Sequence, residues 1–335
     1  MIRTCKKCGF ILGTRPGLKE ENDICLACLN AKKKLMIDWQ ARQRWLSDYL
    51  AQSRRELCRY DCAVAVSGGK DSHMIVKRLI EHHGVRNPLL ITMEDEFTST
   101  RAGRHNRRNI ALHFDLDIVS VRPRPEETRK RMLHNFETTL NPLKEVEQNL
   151  YLLPIQLART MGIPTIFFGE NSAFEYGSSP ECSLFSPLSA EDIKVIYFGS
   201  IWPYSTEDSL RIAQSAGFKS LDDFNEWPRQ GSVENFTQID SMGYLVHIWC
   251  KFPKFGFQRV SDIACRFVRE GKFTREQALQ AIRDKDYILD PWAREDFCKT
   301  LGITETYFNT VVDAHVNHEI LVKDVTGIWR RKDLL

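Results

Sequence analysis

Between residues 61 and 168 the apolar positions switch repeatedly between two periods. Cys62 to Val66 is a short apolar, β-branched run, and Ile75, Val76, Leu79 and Ile80 then recur at helical spacing until Gly84 ends the pattern. Ser67-Gly68-Gly69 between them is turn chemistry, so the stretch predicts strand, tight loop and helix. Pro88 to Met93, Asp117 to Val121 and Pro164 to Phe168 predict three further strands. The patterns Ala102 to Ala111, Pro125 to Thr139 and Val146 to Met161 predict the helices between them. Crossovers of this kind imply an α/β fold with a doubly wound parallel sheet. From Tyr204 onward the pattern is mostly helical, with N-caps predicted at Ser205 with Asp208 and at Thr274 with Gln277, and a C-cap at Gly217. Upstream, Leu35, Trp39, Leu46, Tyr49, Leu50 and Leu57 form a helical stripe that predicts one helix packed on the main domain. The divisions that follow are a ribbon at 1–34, a connecting helix at 35–60, an α/β domain at 61–203 and a mostly helical substrate or partner region at 204–335.

Composition changes this picture little. The 335 residues hold one large or two medium domains, 42% hydrophobic content is ordinary for a globular chain, and a net charge of +3 is too small to argue for nucleic acid. No apolar run reaches membrane-spanning length, and Met1-Ile2-Arg3-Thr4-Cys5 lacks the core of a signal peptide. The ten cysteines fit a reducing cytoplasm better than a disulfide framework. Four of them form Cys5-Lys-Lys-Cys8 and Cys25-Leu-Ala-Cys28, two pairs sixteen residues apart, which is spacing for a four-thiolate Zn²⁺ site. Four protein ligands leave no position for water, so such a site is structural. Redox-active dithiols are the rival reading, against which stands the lack of any thioredoxin-like pattern around them. Lys32-Lys33-Lys34 reads as a solvated helix start, and Cys58 and Cys62 as buried thiols.

The chemistry concentrates at Ser67-Gly68-Gly69-Lys70-Asp71-Ser72. Glycines without Cβ let backbone wrap an anion, the following helix N-terminus aims N–H groups at it, and Lys70, Ser67 and Ser72 add donors. The spacing of the common NTPase loop is absent. An acid beside a polyphosphate repels it unless a divalent cation intervenes, which assigns Asp71 to Mg²⁺. In a doubly wound sheet the ligand lies beyond the strand C-termini, where this loop, the turn after Met93 and the turn starting at Gly169 converge. There Glu170 can serve Mg²⁺ or a substrate donor and Asn171 can donate and accept, the alternative being a polar turn with a capping Glu. The arginines at 101, 104, 107, 108, 122, 124, 129 and 131 offer a helix face at Arg101, Arg104 and Arg108 that suits a phosphate-bearing substrate or plain solvent. Lys251-Phe-Pro-Lys254-Phe-Gly-Phe-Gln-Arg259 reads as a loop of cations and aromatics, able to neutralise a leaving pyrophosphate or simply basic surface.

The Ser-Gly-Gly-Lys-Asp-Ser loop resembles that of the PP-loop ATP pyrophosphatases. Together with the cysteine pairs, Thr100 with Gly103 and Asn106, Gly169-Glu170-Asn171 through Glu175-Tyr176-Gly177, Lys254-Phe-Gly-Phe257 with Arg259, and Thr274-Arg-Glu276, nearly the whole chain resembles the N-acetyl sugar amidotransferases of bacterial O-antigen and flagellin sugar pathways. The resemblance implies ATP-dependent conversion of an acetamido group on a nucleotide-activated sugar, with UDP-2,3-diacetamido-uronic acid as first candidate, to acetamidino. It implies catalytic roles for Lys70, Asp71, Glu170 and Lys254, and ATP binding by Ser67 to Ser72, Met93 and Gly169. Substrate contacts are implied for Arg104, Asn106, Asn171, Glu175, Tyr176 and Arg259. Whether Lys251 or Lys254 meets phosphate stays open. Ile2 and the lack of a Gly-x-Cys-x-Gly elbow predict no glutaminase of its own, so the resemblance implies ammonia from a glutaminase subunit and a barrel subunit akin to the pair in histidine biosynthesis. The rivals are a tRNA-thiolating enzyme of the same loop type and a non-enzymatic zinc-ribbon module.

Overall fold

A computed structural model describes residues 2–53 and 58–335; Leu57 of the predicted stripe lies outside the described residues. Five parallel strands form the central sheet: β5 (Cys62–Ala65), β6 (Pro88–Met93), β7 (Ile118–Val121), β8 (Thr165–Phe168) and β9 (Lys194–Tyr197), in the order β7-β6-β5-β8-β9. Here β1 (Arg3–Thr4), β2 (Ile11–Leu12), β3 (Glu20–Glu21) and β4 (Ile24–Cys25) are the two hairpins of the ribbon. The ribbon leads into helix α1 (Leu26–Lys33) and then α2 (Trp39–Ser53).

Both faces of the sheet are covered, as its continuous apolar strands require. On one face Cys62 and Val64 pack with Leu46 and Leu50 of α2 and with Ile75, Val76 and Leu79 of α3 (Lys70–His83). On the other, Ala63, Leu89, Ile91 and Ile166 meet Ile155 and Ala158 of α6 (Lys144–Thr160). Helices α4 (Arg101–Phe114) and α5 (Pro125–Thr139) complete the crossovers. The chain steps outward from β5 to β6 and β7, then returns to β8 on the opposite side. That reversal opens a crevice past the carboxyl ends of β5 and β8.

After the short α7 (Ser172–Glu175), helix α8 (Thr206–Ser215) packs along α3. The remaining helices are α9 (Tyr244–Trp249), α10 (Lys251–Phe255), α11 (Arg259–Arg269), α12 (Arg275–Lys285), α13 (Pro291–Leu301) and α14 (Glu305–Ala314), closed by hairpin β10 (Leu321–Lys323) and β11 (Trp329–Arg331). The predicted caps at Ser205 and Thr274 form, and Gly217 follows α8 at φ +84°. No described helix is long and apolar enough to cross a membrane.

Four expectations are corrected. The edge strand β9 escaped the pattern. Lys251 to Phe255 is a helix rather than a loop, ended by Gly256 at φ +75°. Leu35 is 84% exposed, so the stripe that packs begins deeper in α2. Lys32 and Lys33 stand in the last turn of α1, where cations face the negative end of the helix dipole, not at a helix start.

The ribbon docks against the rest of the chain. Its cysteines share a core with Ala264 and Cys265 of α11 and with Ala278 and Ile282 of α12. Asn30 of α1 donates to the carbonyls of Phe174 and Ser179, and Lys34 pairs with Glu175 at 2.7 Å. Gly177, at φ +83°, presses so closely that a Cβ there would lie 2.5 Å from the Ala27 nitrogen.

Candidate active site

Loop Ser67 to Ser72 sits in the crevice between β5 and β8. Gly68 holds φ +84°, and a Cβ on it would lie 2.8 Å from the Arg107 backbone nitrogen, so only glycine lets the loop lie against α4. The Ser67 amide donates to Ser72 Oγ at 3.1 Å and the Gly69 amide to Ser67 Oγ at 3.2 Å, closing the turn that starts α3. His73, which the sequence did not single out, locks the turn from behind. Its Nδ1–H donates to the Gly69 carbonyl at 3.1 Å while Nε2 accepts from Asn109 at 3.1 Å. Burial pushes its pKa down to about 4, so it is a neutral strut.

Lys70 is buried, with Nζ donating to Asp71 Oδ1 at 2.6 Å and to the Tyr204 hydroxyl at 2.7 Å. Burial pulls its pKa down, but Asp71 and Tyr204 more than offset this and hold it above its ordinary value. Asp71 stays about one-third exposed. These groups line a cavity of about 360 Å³ together with Met93, Asn106, Arg107, Gly169, Glu170 and Arg259. Asp95 and Asp240 also line it; burial, and Asp95 beside it, push Asp240 up to about 6.

Glu170, at the end of β8, pairs with Arg266 at 2.6 Å. Burial raises its pKa, yet Arg266, Arg259 and Lys70 hold it below the usual carboxylate range. The Arg266 guanidinium lies 4.9 Å from the Tyr176 ring centre and 4.6 Å from that of Tyr204. Arg259, seven residues earlier on α11, donates to the Tyr176 hydroxyl at 2.7 Å. Helix α11 thus brings two guanidiniums to the strand-end acid on one face.

Other expected site residues are turned elsewhere. Arg104 is exposed and bonds the Ser99 carbonyl; Arg107 reaches the cavity instead, steadied by Ser99 Oγ at 2.7 Å. Lys254 donates to the carbonyls of Thr139 and Leu140 at 3.0 and 2.7 Å, capping α5 and lining neither large cavity. Asn171 caps α7 and donates to Ser200, and Glu175 is the buried partner of Lys34, so neither lines the loop cavity. Asn106 does line the cavity, but its amide bonds the backbone of Lys219 at both ends.

A second cavity of about 500 Å³ adjoins the first and shares Tyr151, Glu170, Ser172, Gln238, Tyr244 and Arg259 with it. Its outer wall is the ribbon, from Phe10 to Lys19. Lys251 lines it, paired with Asp262 at 2.9 Å.

The Sγ atoms of Cys5, Cys8, Cys25 and Cys28 are buried and lie within 4.8 Å of one another. Cys5 to Cys28 is 3.9 Å and Cys8 to Cys25 is 3.7 Å. A tetrahedral ion with bonds of about 2.3 Å to sulfur requires edges of about 3.8 Å, which the two measured edges match, so the donor set suits Zn²⁺. Cys265 donates to the Cys8 carbonyl at 3.2 Å from behind.

Fold and loop together define an α/β protein with a glycine turn that opens a helix at the reversal point of a parallel sheet. Residues 230–333 match the family model of the C-terminal domain of the WbpG-like lipopolysaccharide biosynthesis proteins. The chain is also 21% identical over 276 residues, 81% of its length and 91% of the relative's, to an uncharacterized protein of Methanocaldococcus jannaschii. Among solved structures it is similar to the U34-tRNA thiolase NcsA from Methanococcus maripaludis with its 4Fe-4S cluster. That likeness has 12% identity and a TM-score of 0.38, covering 81% of this chain and 87% of that one.

Proposed function

We propose that the protein is an ATP-dependent amidotransferase that turns the acetamido group of a nucleotide-activated sugar into acetamidino, releasing AMP and pyrophosphate. The observation that carries this reading is the Ser67 to Ser72 loop at the sheet's reversal point, with a buried lysine against an acid at the start of α3. The match of residues 230–333 to a lipopolysaccharide biosynthesis domain supports a sugar acceptor.

The chemistry starts from the poor leaving ability of an amide oxygen. That oxygen attacks the α-phosphorus, its new P–O bond replaces the bond to pyrophosphate, and an O-adenylyl imidate results. Ammonia then adds to the imidate carbon, the C–O bond breaks, AMP leaves with the former amide oxygen, and the carbon keeps nitrogen in its place. Lys70 and the first amides of α3 hold the departing diphosphate. Asp71 is placed to hold Mg²⁺, which when bound neutralises phosphate charge and fixes its orientation. Glu170 keeps Arg266 in place, and Arg259 reaches the junction of the two cavities, where acceptor and α-phosphate would meet. Arg107, which lines the loop cavity, would contact ATP phosphate, whereas Arg104, expected from the sequence to meet a phosphate-bearing substrate, does not line it. Losing a hydrogen bond to a charged group costs about 1.5–3 kcal/mol. Arg107→Ala therefore weakens ATP binding by about tenfold or more in calorimetric titration, while Arg104→Ala stays within about twofold.

No cysteine lines the loop cavity among the described residues, which favours amide over thiolation chemistry. Ammonia is expected from a separate glutaminase and barrel subunit. If the purified chain used glutamine as efficiently as ammonium, that partnership would be wrong. The reading itself is tested by mass spectrometry of nucleotide sugars incubated with ATP, Mg²⁺, ammonium and the protein. Replacement of one oxygen by NH in step with AMP release is expected; ADP release or an unmodified sugar refutes it.

A further inference from the structure

The second cavity carries an uneven charge balance. Three of the four carboxylates that line it pair with a cation, Glu20 with Arg3 at 2.6 Å, Glu170 with Arg266 at 2.6 Å and Asp262 with Lys251 at 2.9 Å, and the fourth, Glu147, lies 3.0 Å from His247 Nε2. Arg15, Lys19 and Arg259 line the same space, and among the described residues none of them pairs with a carboxylate. Arg259 lines both cavities, and among the described residues its guanidinium bonds the Tyr176 hydroxyl alone, with Nε buried and without a partner. Arg15 stands exposed on the ribbon loop that lines the cavity. The loop is held in place at its far end by the Lys19 amide, which donates to the Gly177 carbonyl at 3.0 Å. Between the two cations the wall carries the rings of Tyr151, Tyr176 and Tyr244, flat surfaces suited to a sugar or a base.

We propose that this cavity receives the acceptor as a nucleoside-diphosphate conjugate, and that the ribbon loop carrying Arg15 and Lys19 grips its diphosphate while the reacting amide reaches Arg259 at the inner junction. The ribbon is then a wall of the substrate site as well as a metal-stabilised prop. This rests on the amidotransferase reading only for the identity of the conjugate. The surplus of positive charge and the shape of the cavity stand without it.

Full-length protein with its metal content verified is titrated calorimetrically with UDP, in the presence of saturating ATP and Mg²⁺ so that the loop cavity is filled. Wild type binds UDP, and Arg15→Glu weakens that binding at least tenfold while its ATP affinity, melting temperature and metal content stay at wild-type values. Arg15→Ala falls between them. Absence of UDP binding under saturating ATP, or equal UDP affinity in wild type and Arg15→Glu, overturns the assignment. The amidotransferase reading is judged separately by its products, so one can fail while the other stands.

Discussion

Asp71→Asn abolishes AMP formation while leaving the sheet intact. The carboxylate stands at the second position of α3, beside where polyphosphate charge accumulates, and is neutralised in the free protein by Lys70 at 2.6 Å. On the proposed reading, ATP would draw the Lys70 charge to phosphate, and Asp71 would hold the cation without which two like charges would face each other. Asparagine keeps the shape and loses the charge. Lys70→Met removes the opposite half of the device and lowers AMP release by about 10²–10³-fold, the range for losing one preorganised donor to developing charge. Folding should survive Asp71→Asn, because Asp71 is partly solvated and Lys70 keeps Tyr204. A steady-state assay of pyrophosphate release, with melting curves alongside, decides the matter. Near-normal turnover in Asp71→Asn removes this residue from the metal site.

The second large effect is on stability. If Cys5, Cys8, Cys25 and Cys28 hold a metal, chelating it, or replacing Cys8 by Ser, is expected to lower the melting temperature by roughly 10 °C or more. Structural Zn²⁺ contributes about 10–16 kcal/mol in small ribbon-like units, and loss of even part of this is large against ordinary folding stability. The ribbon has little apolar core of its own, so without the ion its four buried thiols lose the centre that orders them. They share a core with Ala264 and Cys265 of α11, the helix that carries Arg259 and Arg266. Acceptor-dependent AMP release should therefore fall further than ATP binding, since the Ser67 to Ser72 loop rests on the sheet. An unchanged melting curve after complete metal removal would contradict the structural role.

What could be read in the sequence follows from the reach of local patterning. Strand β6 came out with its true ends because Pro88 to Met93 is an apolar run, broken only by the β-branched Thr92, between the polar Asn87 and Glu94. Strand β9 did not, because Lys194-Val-Ile-Tyr197 is a four-residue edge strand after a polar stretch, and only pairing with β8 reveals it. The phosphate-loop turn was legible because its conformation is local: glycine freedom and a helix start lie within six residues. Arginine direction was not. The buried face of α4 carries Ala102, Asn106 and Ile110, and a polar Asn on that face hides the helix phase that brings Arg107, not Arg104, to the crevice. The resemblance implied substrate contacts for Asn171 and Glu175 and a catalytic role for Lys254, yet the side chains bond Ser200, Lys34 and the Leu140 carbonyl, 29 to 141 residues away. Arg266 and Tyr204 were missed for the same reason. The seven-residue step from Arg259 to Arg266 was the available signal, and it matters only once α11 is known to face β8.

Attack by the amide oxygen on the α-phosphorus leaves a mark that no other route leaves. An acceptor carrying ¹⁸O in its acetamido carbonyl, turned over with unlabelled ATP and ammonium, should yield AMP containing one ¹⁸O per amidine formed, read by mass spectrometry of the nucleotide. AMP free of the label, or label appearing in pyrophosphate or inorganic phosphate, would contradict the account.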